Sequence, residues 1–152
     1  MAINPGTAYF VKLHTNATIP KFGSRLAAGA DLYLPNPVIL RPREYELISL
    51  GIIAIPPEGW HFMIYLRSSA PVRYPGLTLM NHVGIIDSDY TGPNDEIKLA
   101  LLNHSVDNTL RINAGERIAQ MCLVEDVRPN IEEITYDQVA FRRSRGGFGS
   151  TG

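Results

Sequence analysis

Apolar residues in this chain fall in short runs, many alternating with polar ones, and never in a stripe of helical spacing longer than about two turns. Runs rich in Val, Ile, Leu and aromatics predict strands at Tyr9–Leu13, Val38–Leu40, Tyr45–Leu50, Ile52–Ile55, Trp60–Leu66, Leu77–Met80, Val83–Ile86, Ile97–Asn103, Leu110–Ile112 and Arg117–Val127. Breakers separate them: Pro35-Asn36-Pro37, Pro56-Pro57-Glu58-Gly59, Tyr74-Pro75-Gly76, Gly92-Pro93-Asn94-Asp95 and Asn113-Ala114-Gly115. The one helical candidate is Ser69–Tyr74, with Pro71 suited to its first turn. Short, evenly spaced strands without an internal repeat or linker predict one all-β domain, a sandwich, jelly roll or barrel.

Composition narrows the class. At 152 residues the chain is long enough for one self-sufficient core. The 13 Gly and 11 Pro argue against a helix bundle, because both interrupt helices. Hydrophobic content of 45% with 19% charge excludes a disordered chain. Fourteen Lys+Arg against fifteen Asp+Glu, a net charge of -1, exclude a nucleic-acid binder acting by bulk charge. A single cysteine, Cys122, excludes an internal disulfide framework and a Cys-based zinc cluster, and its apolar strand reads as core. The four histidines, His14, His61, His82 and His104, lack metal-ligand spacing. The N-terminus has no basic region leading into an apolar run, and the longest apolar stretches fall far short of the ~20 residues that span a bilayer. The expectation is a soluble, cytoplasmic protein with neither membrane nor nucleic acid as partner.

Five polar segments stand out against this frame. Ala28-Gly29-Ala30-Asp31-Leu32-Tyr33 sets an Asp among small residues, by itself the pattern of a turn cap. Arg67-Ser68-Ser69-Ala70-Pro71 joins an Arg and two hydroxyls at the predicted helix start; it reads as an anion site or as a Ser cap with a solvated Arg. Gly84-Ile85-Ile86-Asp87-Ser88-Asp89-Tyr90-Thr91-Gly92 carries two carboxylates two residues apart, which a strand would put on one face. Asp87, directly after two isoleucines, is expected at the core edge, shielded enough to act as a base toward water; an Asp-rich turn is the plainer reading. Gly115-Glu116-Arg117-Ile118-Ala119-Gln120 places Gln120 in an apolar strand, as a polar anchor or a substrate contact. Last, Arg142-Arg143-Ser144-Arg145 precedes Gly146-Gly147-Phe148-Gly149-Ser150-Thr151-Gly152, where a lone aromatic ring among glycines follows guanidinium forks, groups suited to a base and to phosphates. The phosphate-loop, zincin and serine-hydrolase motifs are absent.

Taken in this order, the five segments resemble the trimeric deoxyuridine triphosphatase (dUTPase) family from Ala28 to Gly152, most specifically in the Gly84–Gly92 run and the glycine-rich tail. The resemblance implies a β-jelly roll over residues 1–141, a C-terminal arm over 142–152 closing as a lid, and a homotrimer whose sites draw on three chains. It implies hydrolysis of dUTP to dUMP and pyrophosphate with Mg²⁺. Asp87 matches the carboxylate that activates the attacking water, and Asp31 the one that holds the hydrated metal, through water. Arg67, Ser68 and Ser69 match the phosphate-contacting segment, and Gln120 the residue near the α-phosphate. Asn81, with backbone groups near Ile85, Ile86 and Lys98, matches a uracil-reading hairpin, and Tyr90 the ring against deoxyribose. In the tail, Phe148 matches the ring over uracil, and Arg143, Ser150 and Thr151 the contacts to the β- and γ-phosphates. Pro93-Asn94-Asp95 departs from the family pattern as an insertion before Glu96-Ile97-Lys98. Two other readings of the segments are a related dCTP deaminase, which shares the jelly roll and an Arg-Ser-Ser segment, and a nucleotide-sensing regulatory binding module.

Overall fold

A computed structural model describes residues 6–138 of the chain. The predicted tail residues Arg143, Phe148, Ser150 and Thr151, and the predicted boundary at 141–142, lie outside the described residues. The first six strands are β1 (Tyr9–Lys12), β2 (Lys21–Phe22), β3 (Ala30–Leu32), β4 (Val38–Leu40), β5 (Tyr45–Ser49) and β6 (Ile52–Ile55). They are followed by β7 (Trp60–Leu66), the single-turn helix α1 (Ala70–Arg73), β8 (Leu77–Leu79), β9 (Gly84–Ile86), β10 (Lys98–Asn103), β11 (Leu110–Ile112) and β12 (Ala119–Glu125). A 3₁₀ turn at Tyr136–Gln138 ends the described chain. No described helix is long and apolar enough to cross a membrane.

The strands pair antiparallel in four sheets, β2-β3-β12-β7-β9, β5-β10-β8, β1-β6 and β4-β11, the arrangement of a jelly roll. Alternation decides which side chains meet. From the largest sheet Ala30, Leu32, Phe62, Ile64, Ile86, Ala119 and Met121 point inward. Ile48, Leu77, Leu79, Leu99 and Leu101 of β5-β10-β8 face the same core, closed by Leu40 and Ile112. Asn103, fully buried at the end of β10, joins the connections around it. Its Nδ2 donates to the carbonyls of Leu40, Arg41 and Asn108 at 3.0, 3.1 and 2.7 Å, and its Oδ1 accepts from the Ser105 N–H and hydroxyl at 3.0 and 2.6 Å.

The predicted strands recur within a few residues at each end, and four of them, Val38–Leu40, Ile52–Ile55, Trp60–Leu66 and Leu110–Ile112, coincide with β4, β6, β7 and β11. β2 and β3 had too few apolar residues to signal themselves. Asp31 is accordingly the middle residue of β3, with Ala119–Met121 of β12 alongside, and not a turn cap. Cys122 is not a core residue either: with Met121 facing inward, the two-residue period turns Cys122 outward, where it is half-buried.

After Glu125 one further backbone bond, Asp126 N–H to the Gly59 carbonyl at 2.8 Å, continues the pairing. The chain then leaves the body with Val127, Ile131, Ile134 and Tyr136 exposed. His61 Nδ1 and Asp126 Oδ1 meet at 2.6 Å at the departure point, and Arg128 reaches Asp126 Oδ2 at 2.8 Å.

Candidate active site

A cleft of about 560 Å³ opens over the end of the large sheet where β3 and β12 pair, lined by Ser24, Asp31, Arg67, Arg117, Gln120 and Cys122 among others. Register puts Gln120 beside Asp31 on one side and Tyr65 on the other. The Asp31 side chain is only 5% exposed and sits between two guanidinium groups: Arg67 Nε lies 2.8 Å from Oδ1 and Arg117 NH1 3.1 Å from Oδ2. A carboxylate so buried keeps its charge only when paired and hydrogen-bonded, and here each oxygen has its own donor. Arg67 NH1 also donates to the Arg117 carbonyl at 3.3 Å. Two edges of the Arg67 fork are thus fixed by the protein, and its remaining N–H groups are left for a ligand. One carboxylate against two guanidiniums leaves the cleft with one unit of positive charge, suited to a polyanion.

Of the predicted Arg67-Ser68-Ser69 segment, Arg67 lines this cleft, and Ser68 and Ser69 follow it into α1. Ser69 occupies the N-cap position of α1, but its hydroxyl makes no cap bond, so neither seryl group is committed as the capping reading supposed. The Gln120 carboxamide has no hydrogen-bond partner among the described residues, which favours the contact reading over the anchor.

Three residues at this site had no role assigned from sequence: Arg117, and Arg73 and Glu116 beside it. Arg73 and Glu116 form a two-pronged pair, both contacts at 2.8 Å, tying α1 to the turn that carries Arg117. The Glu116 hydrogen bond and charge raise the Arg73 pKa above its ordinary value. Burial, and then Glu116, push the neighbouring Tyr74 phenol up. No local pattern pointed to Arg117, because its contact with Asp31 forms only when β3 and β12 pair.

The remaining predicted residues gather elsewhere. Asn81 lies in the connection 80–83 between β8 and β9. These strands do not pair with each other: β8 pairs with β10 and β9 with β7, so the connection crosses from one sheet to the other. His82 turns that crossing with φ 57°. Met80 N–H to the Ala100 carbonyl at 2.8 Å extends the β8–β10 ladder, which brings Lys98 to the same end as Asn81. Ile85 is exposed and Ile86 buried, as alternation requires.

Asp87 follows on the exposed side and is itself exposed in the single chain, which corrects the expectation of a shielded core-edge carboxylate. The strand ends at Ile86, so Asp87 and Asp89 stand in a turn and not on a shared strand face. The Tyr90 hydroxyl reaches the Glu96 carbonyl at 3.5 Å, and Asp95 closes the inserted loop by accepting from Gly92 N–H at 2.7 Å. None of these residues lines the cleft of Asp31, because β12 and β7 lie between β3 and β9 in the sheet.

Among the described residues no group of three or more His, Cys, Asp and Glu gathers as a metal cage. Asp31 is the cleft's carboxylate, and its charge is already matched. A cation would meet Asp31 here only together with a polyanion that offsets the cleft's positive charge.

Comparison with known proteins agrees with this geometry. The family model for dUTPase matches residues 15–152. The deoxyuridine 5'-triphosphate nucleotidohydrolase of Picosynechococcus sp. is 39% identical over 143 residues, 93% of this chain and 96% of the relative. That of Thermoanaerobacter sp. is 42% identical over 136 residues, 88% of each chain. The dUTPase of Staphylococcus bacteriophage 80alpha, solved with dUpNHpp, superposes with a TM-score of 0.83 at 24% identity over 96% of this chain and 98% of that one. A segment order read from sequence, a jelly roll with its cationic cleft at β3 and β12, and these matches converge: the chain belongs to the dUTPase family.

Proposed function

We propose that this protein is a dUTP diphosphatase, hydrolysing dUTP to dUMP and pyrophosphate, and that the clamped pair of guanidiniums around Asp31, with Gln120 free beside them, receives the triphosphate. That cleft is the observation that carries the reading. The relatives named above bear the same activity in their names. Arg67 offers its outer N–H groups to phosphate oxygens, and Ser68 and Ser69 offer hydroxyls. Asp87 takes the proton from a water whose oxygen bonds to the α-phosphorus, while the bond from that phosphorus to the bridging oxygen breaks and pyrophosphate leaves. Charge develops on phosphate oxygens in that step, so the fixed cationic donors supply most of the stabilisation. Mg²⁺ would enter with the triphosphate: Asp31 would hold it through water, and the ion would supply shielding of the phosphate charge. Gln120 orients the α-phosphate. Asn81 and the backbone at Ile85 and Ile86 read uracil, with Lys98 at the same edge and Tyr90 against the sugar. Arg143, Phe148, Ser150 and Thr151 close the site from the tail.

We also infer a homotrimer with shared sites. Two features support it. The chain's own Asp87 does not line its own cleft. Beyond the cleft, the outward face of the large sheet presents apolar side chains, with Ile85 57% exposed near half-buried Met63 and Cys122. A cyclic trimer would bring one chain's Asp87 to another's cleft. A cytoplasmic place of action fits a substrate drawn from the free nucleotide pool.

The test is direct. Purified protein with dUTP and Mg²⁺ releases pyrophosphate and dUMP, and Asp87→Asn stops release while dUpNHpp still binds. Ammonia from dCTP would favour the deaminase, and dUTP binding without turnover the sensing module.

A further inference from the structure

We propose that Gly29 is a positioning residue for Gln120, its bare Cα forming the seat against which the Gln120 carboxamide rests. The described residues contain five glycines whose backbone needs the left-handed region: Gly6, Gly51, Gly59, Gly76 and Gly115. Gly29 is not among them, so nothing in its own conformation calls for glycine. What calls for it is space. A methyl group on Gly29 would lie 2.5 Å from Gln120 Oε1, 3.1 Å from Cδ and 3.3 Å from Cβ, and these are the three nearest atoms it would meet. The clash is with a single side chain and not with backbone. Gly29 is buried immediately before β3, and Ala30 pairs with Met121 in register, which puts Gly29 diagonal to Gln120 on the same ladder.

Gln120 needs such a seat, because no hydrogen bond among the described residues orients its amide. A free glutamine at a pocket edge samples several rotamers at small cost. Contact with Gly29 on one side leaves the carboxamide directed into the cleft beside Asp31 and Arg67. Replacing the glycine by alanine keeps the backbone and charges and moves the one group that has room to swing away. Its consequence for catalysis rests on the reading of Gln120 as a substrate contact; its consequence for Gln120 geometry does not.

The experiment compares Gly29→Ala, Gln120→Ala and the double variant, reading kcat and KM for dUTP, Tm, and the Gln120 side-chain amide resonance by ¹⁵N–¹H NMR. Gly29→Ala is expected to lower kcat about 10- to 100-fold with KM changed less than about threefold, since small misplacements near a reacting centre carry such losses. Its Tm stays within a few degrees of wild type, and the Gln120 amide resonance shifts. In the Gln120→Ala background the same substitution has no further effect on kcat. An unmoved Gln120 resonance, or a loss that multiplies undiminished in the double variant, overturns the proposal. A wild-type kcat in Gln120→Ala would instead refute the substrate-contact reading, with the resonance still deciding whether Gly29 seats the side chain. If Gly29→Ala alone fails to fold, the double variant decides: folding restored by removing the Gln120 side chain supports the contact, and continued misfolding overturns it.

Discussion

Arg117 and Asp31 show how much one side chain can demand of its surroundings. Asp31 is 5% exposed on its side chain, and Arg67 alone covers only one of its oxygens. Replacing Arg117 with Gln leaves the second oxygen with a neutral donor and removes the cleft's surplus positive charge. The expected result is a loss of about 1–2 kcal/mol in stability, less than for an unpaired buried charge because Arg67 remains. KM for dUTP should rise on the order of tenfold, with the larger effect at low salt. Thermal denaturation and steady-state kinetics at two ionic strengths check both. Isothermal titration with Mg²⁺ alone should give no measurable heat at micromolar protein, because Asp31 is already matched; heat should appear once dUpNHpp is present. The sequence carried Asp31, Arg67 and Gln120 by residue type and order. It did not carry the second guanidinium, since the contact between residues 31 and 117 exists only after β3 and β12 pair.

At the level of elements, two connections bear the weight of the jelly roll. Asn103 satisfies three carbonyls and accepts two donors where β10 turns toward β11. Asn103→Ala leaves those groups buried without partners, and an expected loss of about 2–4 kcal/mol should appear in urea unfolding with an unchanged m-value. In the large sheet, just after β12, Asp126 sits under His61 and Arg128, and the His61 hydrogen bond, then Arg128, lower its pKa below the ordinary 3.8. A carboxyl whose folded pKa is depressed stabilises the fold above its unfolded value and loses that contribution as pH falls through the folded one. The Tm of the wild type should therefore fall more steeply below about pH 4 than that of Asp126→Asn, a difference that scanning calorimetry from pH 6 to 3 resolves. Strands with an apolar run were legible from alternation. β2 and β3 were not, because Lys21–Phe22 and Ala30-Asp31-Leu32 owe their state to the neighbours they pair with. The same limit holds at Asn81: the sequence shows a break between two apolar runs, whereas the partners of β8 and β9 lie far away in sequence.

For the whole molecule, the cleft residues and Asp87 occupy separate parts of one chain, a separation set by the order β3-β12-β7-β9 that no local pattern encodes. If complete sites form only between chains, two inactive variants should complement. Mixing Asp87→Asn and Arg67→Ala chains after denaturation and refolding should restore activity, to about a quarter of wild-type sites for random cyclic trimers. No recovery would show that each chain works alone.

The clamp around Asp31 also bears on which uracil the protein meets. Its surplus charge is local, set in a chain whose net charge is -1, and at physiological salt its field fades within ~8 Å. A free triphosphate concentrates its negative charge on a span that fits inside such a short reach. A polynucleotide presents its charge along a backbone, most of it facing a surface with no net attraction. On the proposed reading, uracil already built into DNA would compete poorly for the cleft, and dUTP turnover measured in the presence of uracil-containing DNA checks it.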